Sequence, residues 1–412
     1  DPDIPDMMPR EQFDRLILRP LLEMEERERQ RQRVWKVIVI DGLDECEGQD
    51  EIEDILKILS LVKKLQSVYL RFFLTSRTEW AIRLGSTLES SFDSHKIVTL
   101  HEISTPMVED DISSYFNHQF SQLRYERSLP PNWPGKKKMQ ALVERAVPLF
   151  ISAATLYRFI SDPQWNPEKR LEAILADQTV YTSKMDGIYM LVLNQLLTGQ
   201  NDAESQQSIH EFKEIVGVIA LLNSPLSTRA LSRLLNVETN VISNLLASLH
   251  SVLHVPGDLD TPIRIIHSSF RDFLLDPKRK HTNPFWIDEN EIHLLLFMRC
   301  VEVMQHVLKK NICCLRSYGT RRSNISVDHV NKHLAPEVQY ACRYWTKHLM
   351  QIQNPVSELS KAVSFLCVHF LHWAEAMALL GLIIEVLRAI DTLQSIAQVG
   401  AIFRTGGKRY HY

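Results

Sequence analysis

Residues 34–45 read VWKVIVIDGLDE. The first seven form a nearly continuous apolar run, rich in β-branched residues, that is typical of a strand in a parallel sheet covered on both faces. The carboxyl ends of such strands face the crevice in which ligands bind. The stretch therefore predicts a buried strand that places Asp41, Asp44 and Glu45 at a ligand-binding edge.

A second strand with a polar end follows one helix later. Helical spacing of apolar residues predicts a helix over residues 51–66, and the next apolar run, residues 69–74, ends in the sequence TSR. Successive strands of a parallel sheet end at the same edge, so Arg77 is predicted to lie on the same edge as Asp41. A guanidinium there can bind the terminal phosphate of a ligand.

The order of elements predicts an α/β domain. A helix is expected over residues 10–22, a third strand over residues 96–100, and a further helix from Thr105 to about Arg124. The order β-α-β-α-β-α is that of a parallel sheet with right-handed crossovers. Residues 1–127 are therefore assigned to this domain.

The rest of the chain is predicted to be helical. Residues 128–138 indicate a linker by their Pro, Gly and Lys content. After residue 135, helical spacing predicts helices over residues 136–147, 149–161, 167–177, 184–198 and 207–222. Residues 136–222 are assigned to a helical domain, and residues 286–412 to a C-terminal helical domain.

Residues 223–285 carry a different pattern. Two short amphipathic helices flank Asn236, and two short apolar runs, residues 251–255 and 262–266, flank the turn sequence PGDLD. This pattern indicates a helix–turn–helix followed by a β-hairpin wing. The segment is predicted to be a winged helix.

Composition argues against two classes of partner. The chain has 412 residues, with 47 Lys plus Arg and 50 Asp plus Glu, so its formal net charge is −3. The second helix of the predicted winged helix, Val237–His250, contains no Lys or Arg, which argues against nucleic-acid binding. The most apolar stretch, residues 363–386, contains His369 and Glu375 and is predicted to be a buried helix rather than a membrane span.

Cysteine usage bears on the compartment. The six cysteines form no CxxC pair and no zinc-ligand spacing. Scattered cysteines in a chain of this length fit a reducing compartment, so a cytoplasmic location is expected.

Five segments resemble motifs of a known family. VIVIDGLDE and LTSR are similar to the Walker B and sensor 1 segments of the NACHT branch of the STAND signalling P-loop NTPases, in particular fungal NACHT proteins with C-terminal WD repeats. AVPLFISAATLYRFI, residues 146–160, is similar to the helical-domain motif of that family. IIHSSFRDFL, residues 265–274, resembles the end of its winged helix, and FLHWAEAMALLG, residues 370–381, resembles a helical segment that precedes the WD repeats.

The resemblance implies a fold and a nucleotide site. The implied fold class is α/β followed by all-α, with a partial parallel P-loop NTPase sheet, a helical domain, a winged helix and a C-terminal helical region. ATP or ADP would bind with Mg²⁺ held by Asp41, while Asp44 and Glu45 act on the attacking water. The residues implied to contact the nucleotide are Arg77 at the phosphate, Pro148 at the adenine and His267 at the diphosphate.

One motif of the family is absent from the sequence. No GxxxxGK[ST] loop occurs in the 412 residues, and no glycine precedes Gly42. The backbone amides, lysine and hydroxyl with which that loop binds phosphate and Mg²⁺ are therefore missing. The chain is expected to be the middle of a larger receptor, and to be weak or inactive as an ATPase by itself.

Two functions of different class follow. In the first, the complete protein is a nucleotide-switched signalling receptor in fungal non-self recognition or programmed cell death. ADP would hold a closed state, and ATP would favour an open state that forms homo-oligomers. In the second, this chain is a non-catalytic scaffold for protein contacts, derived from a degenerate NACHT protein. A winged-helix regulator that binds DNA is a third, less favoured hypothesis.

Overall fold

Both predicted strands at the start of the chain are present in the computed structural model. Strand β1 (Val34–Ile40) pairs in parallel with β2 (Val68–Leu74), and the register runs from Val34 opposite Val68 to Ile40 opposite Leu74. The carboxyl ends of the two strands therefore lie at one edge of the sheet.

The structure describes residues 9–27, 34–45, 49–64, 68–77, 96, 98–100, 103–177, 183–317 and 319–406. It divides into two compact units, residues 1–103 and residues 104–412. The described part is mostly helical, with two sheets of two strands each. The helices of the first unit are α1 (Pro9–Phe13), α2 (Arg19–Arg27) and α3 (Gln49–Leu59), with a π-helical turn over Asp14–Leu18 between the first two.

The first unit packs helices against one face of its sheet. Ile52 and Leu56, four residues apart on α3, are fully buried, and Ile40 of β1 packs against the same cluster. On the other face of β1, Val37 and Val39 are 64% and 63% exposed. Alternate residues of a strand point to opposite faces. The prediction of a strand covered on both faces is therefore wrong, because only one face is covered by the described residues.

The third strand predicted over residues 96–100 is not formed. Residues 96 and 98–100 belong to no strand, and Val98 and Leu100 are 63% and 76% exposed. Ile97, like the short helix expected before it, lies outside the described residues. A short apolar run does not suffice to predict a strand, because a strand also needs a neighbouring edge with which to pair.

The second unit begins with helices close to their predicted positions. The helix Asp202–Leu221 starts five residues before its predicted start, because Asn201 and Glu204 form a capping box that pairs the first backbone donors. The first six helices of the second unit are α4 (Thr105–Arg127), α5 (Lys136–Ala146), α6 (Phe150–Ser161), α7 (Pro167–Ala176), α8 (Lys184–Asn194) and α9 (Asp202–Leu221).

Residues 226–275 form the elements that the sequence predicts for them. Asn236 ends α10 (Thr228–Leu235) in the left-handed region with φ of 56°, which turns the chain into α11 (Thr239–Ala247). Strands β3 and β4 then pair antiparallel. The elements are α10 (Thr228–Leu235), α11 (Thr239–Ala247), β3 (Leu253–His254), β4 (Arg264–Ile265) and α12 (Ser268–Leu275). Their assignment to a winged helix, and the four-domain division as a whole, stay predictions.

The C-terminal helices enclose an aromatic core. The rings of Trp345 and Trp373 meet edge to face with their centroids 5.5 Å apart, and both side chains are buried. The indole N–H of Trp373 donates to the carbonyl of Cys342 at 2.8 Å. The helices are α13 (Glu289–Val307), α14 (Val327–His333), α15 (Pro336–Gln351), α16 (Val356–Leu379) and α17 (Ile383–Gly406).

The apolar stretch of residues 363–386 is divided between two helices. Gly381, with φ of 78°, ends α16, and the amides of Gly381 and Leu382 bond to the carbonyls of Ala378 and Met377. These two bonds form a Schellman motif, which requires the left-handed conformation that glycine adopts without strain.

Helix α16 is only partly buried. Phe365, Trp373 and Ala376 face the core, whereas Val368 and Leu371 are 68% and 76% exposed. The prediction of a buried helix thus holds for one side of α16. The helix is long and apolar enough to cross a membrane by length and composition, and a single helix of this kind is weak evidence for a span.

A chain of polar groups joins the core helices of the second unit. The backbone N–H of Asn223 donates to the hydroxyl of Tyr340, which lies 2.7 Å from His348 Nε2. His348 Nδ1 lies 3.0 Å from Nδ1 of His293. Each of these three contacts uses one hydrogen atom. Two neutral imidazole rings therefore suffice for every contact in this row of polar groups.

Burial keeps both rings of this chain neutral. Desolvation lowers the pKa of His293 to about 4 and that of His348 to about 3, and the nearby Arg271 and Lys347 act in the same direction. Burial raises the pKa of Tyr340.

We expect the second unit to lose stability as the pH falls below about 6.5. Between the lowered pKa values and about 6.5, the unfolded chain binds protons that the folded chain does not, so unfolding becomes more favourable with acid. From pH 7 to pH 5 the free energy of unfolding should fall by roughly 2 kcal/mol for each ring, or about 4 kcal/mol for the pair. Urea denaturation at several pH values measures the dependence.

The control separates this pair from other titrating groups. The double variant His293→Gln, His348→Gln should show a shallower pH dependence than the wild type. Replacement of the exposed His210, which pairs with Glu214 at the surface, by Gln should leave most of the dependence in place. Equal pH dependence in the double variant and the wild type would contradict the assignment.

Candidate functional site

The two strand ends stay hydrogen-bonded beyond the sheet. The amide of Thr75 donates to the carbonyl of Ile40 at 3.0 Å, and the amide of Leu43 donates to the carbonyl of Thr75 at 2.9 Å. Between them Gly42 adopts φ of 68°, a conformation that favours glycine. The acidic turn is thus fixed against the end of β2.

The hydroxyl of Thr75 holds this turn in place. It accepts the amide N–H of Gly42 at 2.8 Å and donates to Oδ1 of Asp41. Leu43 anchors the turn from the other side, because its side chain is buried in the core of the first unit. Asp41 itself is exposed at the edge of the sheet.

Asp44 and Arg77 form an ion pair at the same edge. Oδ2 of Asp44 lies 3.2 Å from Nε of Arg77, and Oδ1 accepts the backbone N–H of Arg77 at 3.1 Å. The carboxylate is nearly buried, with 10% of the side chain exposed, whereas the arginine side chain is 47% exposed. Both oxygens of Asp44 are therefore engaged by Arg77.

The structure thus brings three of the predicted residues together. Asp41, Asp44 and Arg77 share the carboxyl edge of the parallel pair, as the order of elements predicts. Glu45 ends the 3₁₀ turn that begins at Leu43, and its side chain lies outside the described part. No group of three or more His, Cys, Asp or Glu side chains that could hold a metal is present in the described ranges.

Replacing Thr75 should loosen the acidic turn. Thr75→Val keeps the shape but leaves the amide of Gly42 and Oδ1 of Asp41 without the hydroxyl, at a cost of about 1 kcal/mol in the stability of the first unit. Amide hydrogen exchange at Gly42 should become faster. Ser76→Ala is the matched control, because that hydroxyl reaches only the carbonyl of Arg77 at 3.4 Å. Similar exchange at Gly42 in both variants would refute the role.

Pro148 lies in the second unit, in the exposed turn between α5 and α6. The ammonium of Lys184 bonds to the carbonyls of Glu144 and Val147 at 2.6 and 2.9 Å. A cation at the end of a helix stabilises its last carbonyls. The turn that carries Pro148 is therefore tied to the start of α8.

His267 is the N-cap of α12. Its Nδ1 accepts the backbone N–H of Ser269 at 3.1 Å and lies 2.7 Å from the hydroxyl of the same residue. That hydroxyl lies 2.7 Å from the hydroxyl of Tyr189 on α8. Because Nδ1 accepts from an amide, the neutral ring carries its proton on Nε2, and the hydroxyl of Ser269 donates to Nδ1.

A second contact fastens the same two helices. Arg279, just after α12, donates through Nε and Nη2 to both oxygens of Asp186 on α8, at 3.1 and 3.0 Å. A bidentate pair fixes orientation as well as distance. The position of His267 is therefore set by α8 through two separate groups.

The predicted residues fall into two groups. Asp41, Asp44 and Arg77 belong to the first unit, and Pro148 and His267 belong to the second. The residues that position them were missed, although two lie inside quoted motifs: Thr75 in LTSR and Ser269 in IIHSSFRDFL. Tyr189 carries no local signal, because it meets Ser269 across 80 residues of sequence.

The hydroxyl relay makes a prediction for the ring of His267. Nitrogen NMR at pH 8 should show His267 with its proton on Nε2, with the signal assigned by its loss in His267→Gln. Ser269→Ala should increase the Nδ1-protonated population because it removes a donor to Nδ1, and Tyr189→Phe should do so to a smaller extent because it removes the hydroxyl that positions Ser269. Tyr125→Phe, which changes a 91% exposed ring, should have no effect. A wild-type ring protonated on Nδ1 would contradict the relay.

Comparison with known proteins gives two matches. A family model described as the N-terminal part of nephrocystin 3 matches residues 5–77. The vegetative incompatibility protein HET-E-1 of Podospora anserina is 25% identical over 385 residues, which is 87% of this chain and 26% of that protein. The chain thus spans about a quarter of the length of this relative. No solved structure matches. These matches confirm the resemblance drawn from the sequence, and the chain is related to fungal proteins of the NACHT type.

Proposed function

We propose that this chain is the switching part of a signalling receptor that responds to ADP and ATP. The observation that carries the proposal is the cluster of Asp41, Asp44 and Arg77 at the carboxyl edge of two parallel strands. Ligands of open α/β sheets bind at this edge. We assign β1 and β2 to a P-loop NTPase sheet, and the segment from α10 to α12 to a winged helix.

The residues at this edge fit a magnesium nucleotide. Mg²⁺ is bound by one or two carboxylates together with phosphate oxygens and water, so the exposed carboxylate of Asp41 is a sufficient protein ligand. When bound, the ion neutralises charge on the phosphates. Thr75 orients Asp41 for this role through its hydrogen bond to Oδ1.

Arg77 has two alternative partners in this proposal. Without nucleotide, its guanidinium pairs with Asp44. With ATP, the guanidinium turns to the terminal phosphate, and the released carboxylate of Asp44, together with Glu45, orients a water molecule. Pro148 contacts the base, and His267 offers its Nε2 proton to the diphosphate.

The two nucleotides then favour different states of the receptor. A ligand shifts a conformational equilibrium only by its difference in affinity for the two states. ADP favours a closed state through His267, and ATP favours an open state that binds protein partners and forms homo-oligomers in the cytoplasm. The name of the relative, a vegetative incompatibility protein, supports a role in fungal non-self recognition or programmed cell death.

A non-catalytic scaffold is the second candidate function. The observation in its favour is that the 412 residues contain no GxxxxGK[ST] loop, so the chain lacks the backbone amides that bind phosphate in that loop. In this case the helices of the second unit serve protein contacts, and nucleotide does not bind.

Calorimetric titration of the whole chain with Mg·ADP and Mg·ATP separates the two functions. Micromolar binding of both nucleotides is expected for the switch. Asp41→Asn should weaken binding about tenfold in Mg²⁺ and leave it unchanged in EDTA, because only the metal contact is lost. Arg77→Gln should weaken ATP more than ADP, since ADP lacks the terminal phosphate.

Control variants separate the contacts to ADP from the contacts to ATP. His267→Ala should weaken ADP more than ATP, whereas Lys57→Gln, an exposed change on α3, should alter neither. The double variant Asp41→Ala, His267→Ala should abolish binding. No heat with either nucleotide for a folded wild-type chain would overturn the switch and support the scaffold.

A further inference from the structure

A cavity of about 410 Å³ lies between α6 and the β3–β4 ladder in the second unit. Four basic residues line it, and no acidic residue does: Arg158, His250, His254 and Arg264. The remaining wall is apolar and includes Leu253 and Ile265. None of the residues assigned to the nucleotide lines this cavity.

The β3–β4 ladder brings two of the basic residues together. His254 and Arg264 are directly opposite each other in β3 and β4. Side chains opposite each other in an antiparallel pair lie on the same face. The ladder therefore presents the imidazole of His254 and the guanidinium of Arg264 side by side.

These basic groups lack acidic partners within the described part. No ion pair involves Arg158 or Arg264 there, and Nη1 of Arg158 is buried without a hydrogen-bond partner. A buried charged donor left unpaired costs more than the net gain of an ordinary hydrogen bond. An anion in the cavity would place negative charge beside this guanidinium.

The lining favours a compact anion with more than one negative charge. Guanidinium groups bind phosphate through parallel N–H···O bonds. Two arginines at one cavity match two phosphate groups better than a single carboxylate. Arg158 is half-buried beside the apolar wall, so an ionic contact at its guanidinium is strengthened more than one at the exposed Arg264.

We propose that this cavity binds a diphosphate group, held chiefly by Arg158 and Arg264. The site lies in the second unit and does not depend on Asp41. Inorganic pyrophosphate and the diphosphate of a nucleotide present the same chemistry, so the test includes both.

Calorimetric titration of the whole chain with inorganic pyrophosphate, without Mg²⁺, tests the site. The wild type should bind one pyrophosphate, and Arg158→Gln and Arg264→Gln should each weaken binding at least tenfold. Arg388→Gln, an exposed change on α17, should leave binding unchanged. Arg158→Lys keeps one charge and should lose less affinity than Arg158→Gln.

Competition identifies the source of the diphosphate. If ADP without Mg²⁺ displaces pyrophosphate and its binding also falls in Arg264→Gln, the site takes a nucleotide. If ADP does not displace it, the site takes a free polyphosphate. Because Arg264 is exposed, its variant should fold, which circular dichroism checks.

Two results would overturn the proposal. The first is absence of pyrophosphate binding to the folded wild type, including the case in which duplex DNA binds in its place. The second is pyrophosphate binding that is equally tight in Arg158→Gln and Arg264→Gln.

Discussion

The hydroxyl of Thr75 is the contact on which the candidate site depends. It joins the end of one strand to the turn after the other, accepting from Gly42 and donating to Asp41. Without this hydroxyl the acidic turn would still be held by backbone bonds, by the buried side chain of Leu43 and by the pairing of Asp44 with Arg77, but Asp41 would lose its bond to the second strand. With the hydroxyl in place, Asp41 has a defined direction, and the next turn brings Asp44 to Arg77.

The second unit fixes its own candidate residues by the same principle. Polar side chains from a neighbouring helix hold the end of a helix or turn: Lys184 holds the turn before Pro148, and Tyr189 holds the N-cap His267 through Ser269. Both come from α8. A shift of α8 would therefore move both positions together.

Sequence patterns predicted the helices and strands better than they predicted the contacts between side chains. The apolar run before Asp41 and the periodic apolar residues of α5 and α8 specify strand and helix because burial follows their spacing. The run at residues 96–100 has similar composition but no strand forms, since pairing depends on a neighbour that composition does not encode. Thr75 was missed because its hydroxyl bonds to Asp41, which lies 34 positions away in the sequence. Tyr189 was missed because it contacts Ser269, which lies 80 positions away.

The strength of the ion pair between Asp44 and the half-exposed Arg77 depends on the ionic strength of the solution. Arg77 meets a nearly buried carboxylate at the surface, and mobile ions screen such a contact more strongly as ionic strength rises. Concentrated salt would weaken the hold of Asp44 on the guanidinium without altering the backbone bonds around it. The resting arrangement of this edge is therefore set by the electrolyte as well as by the fold.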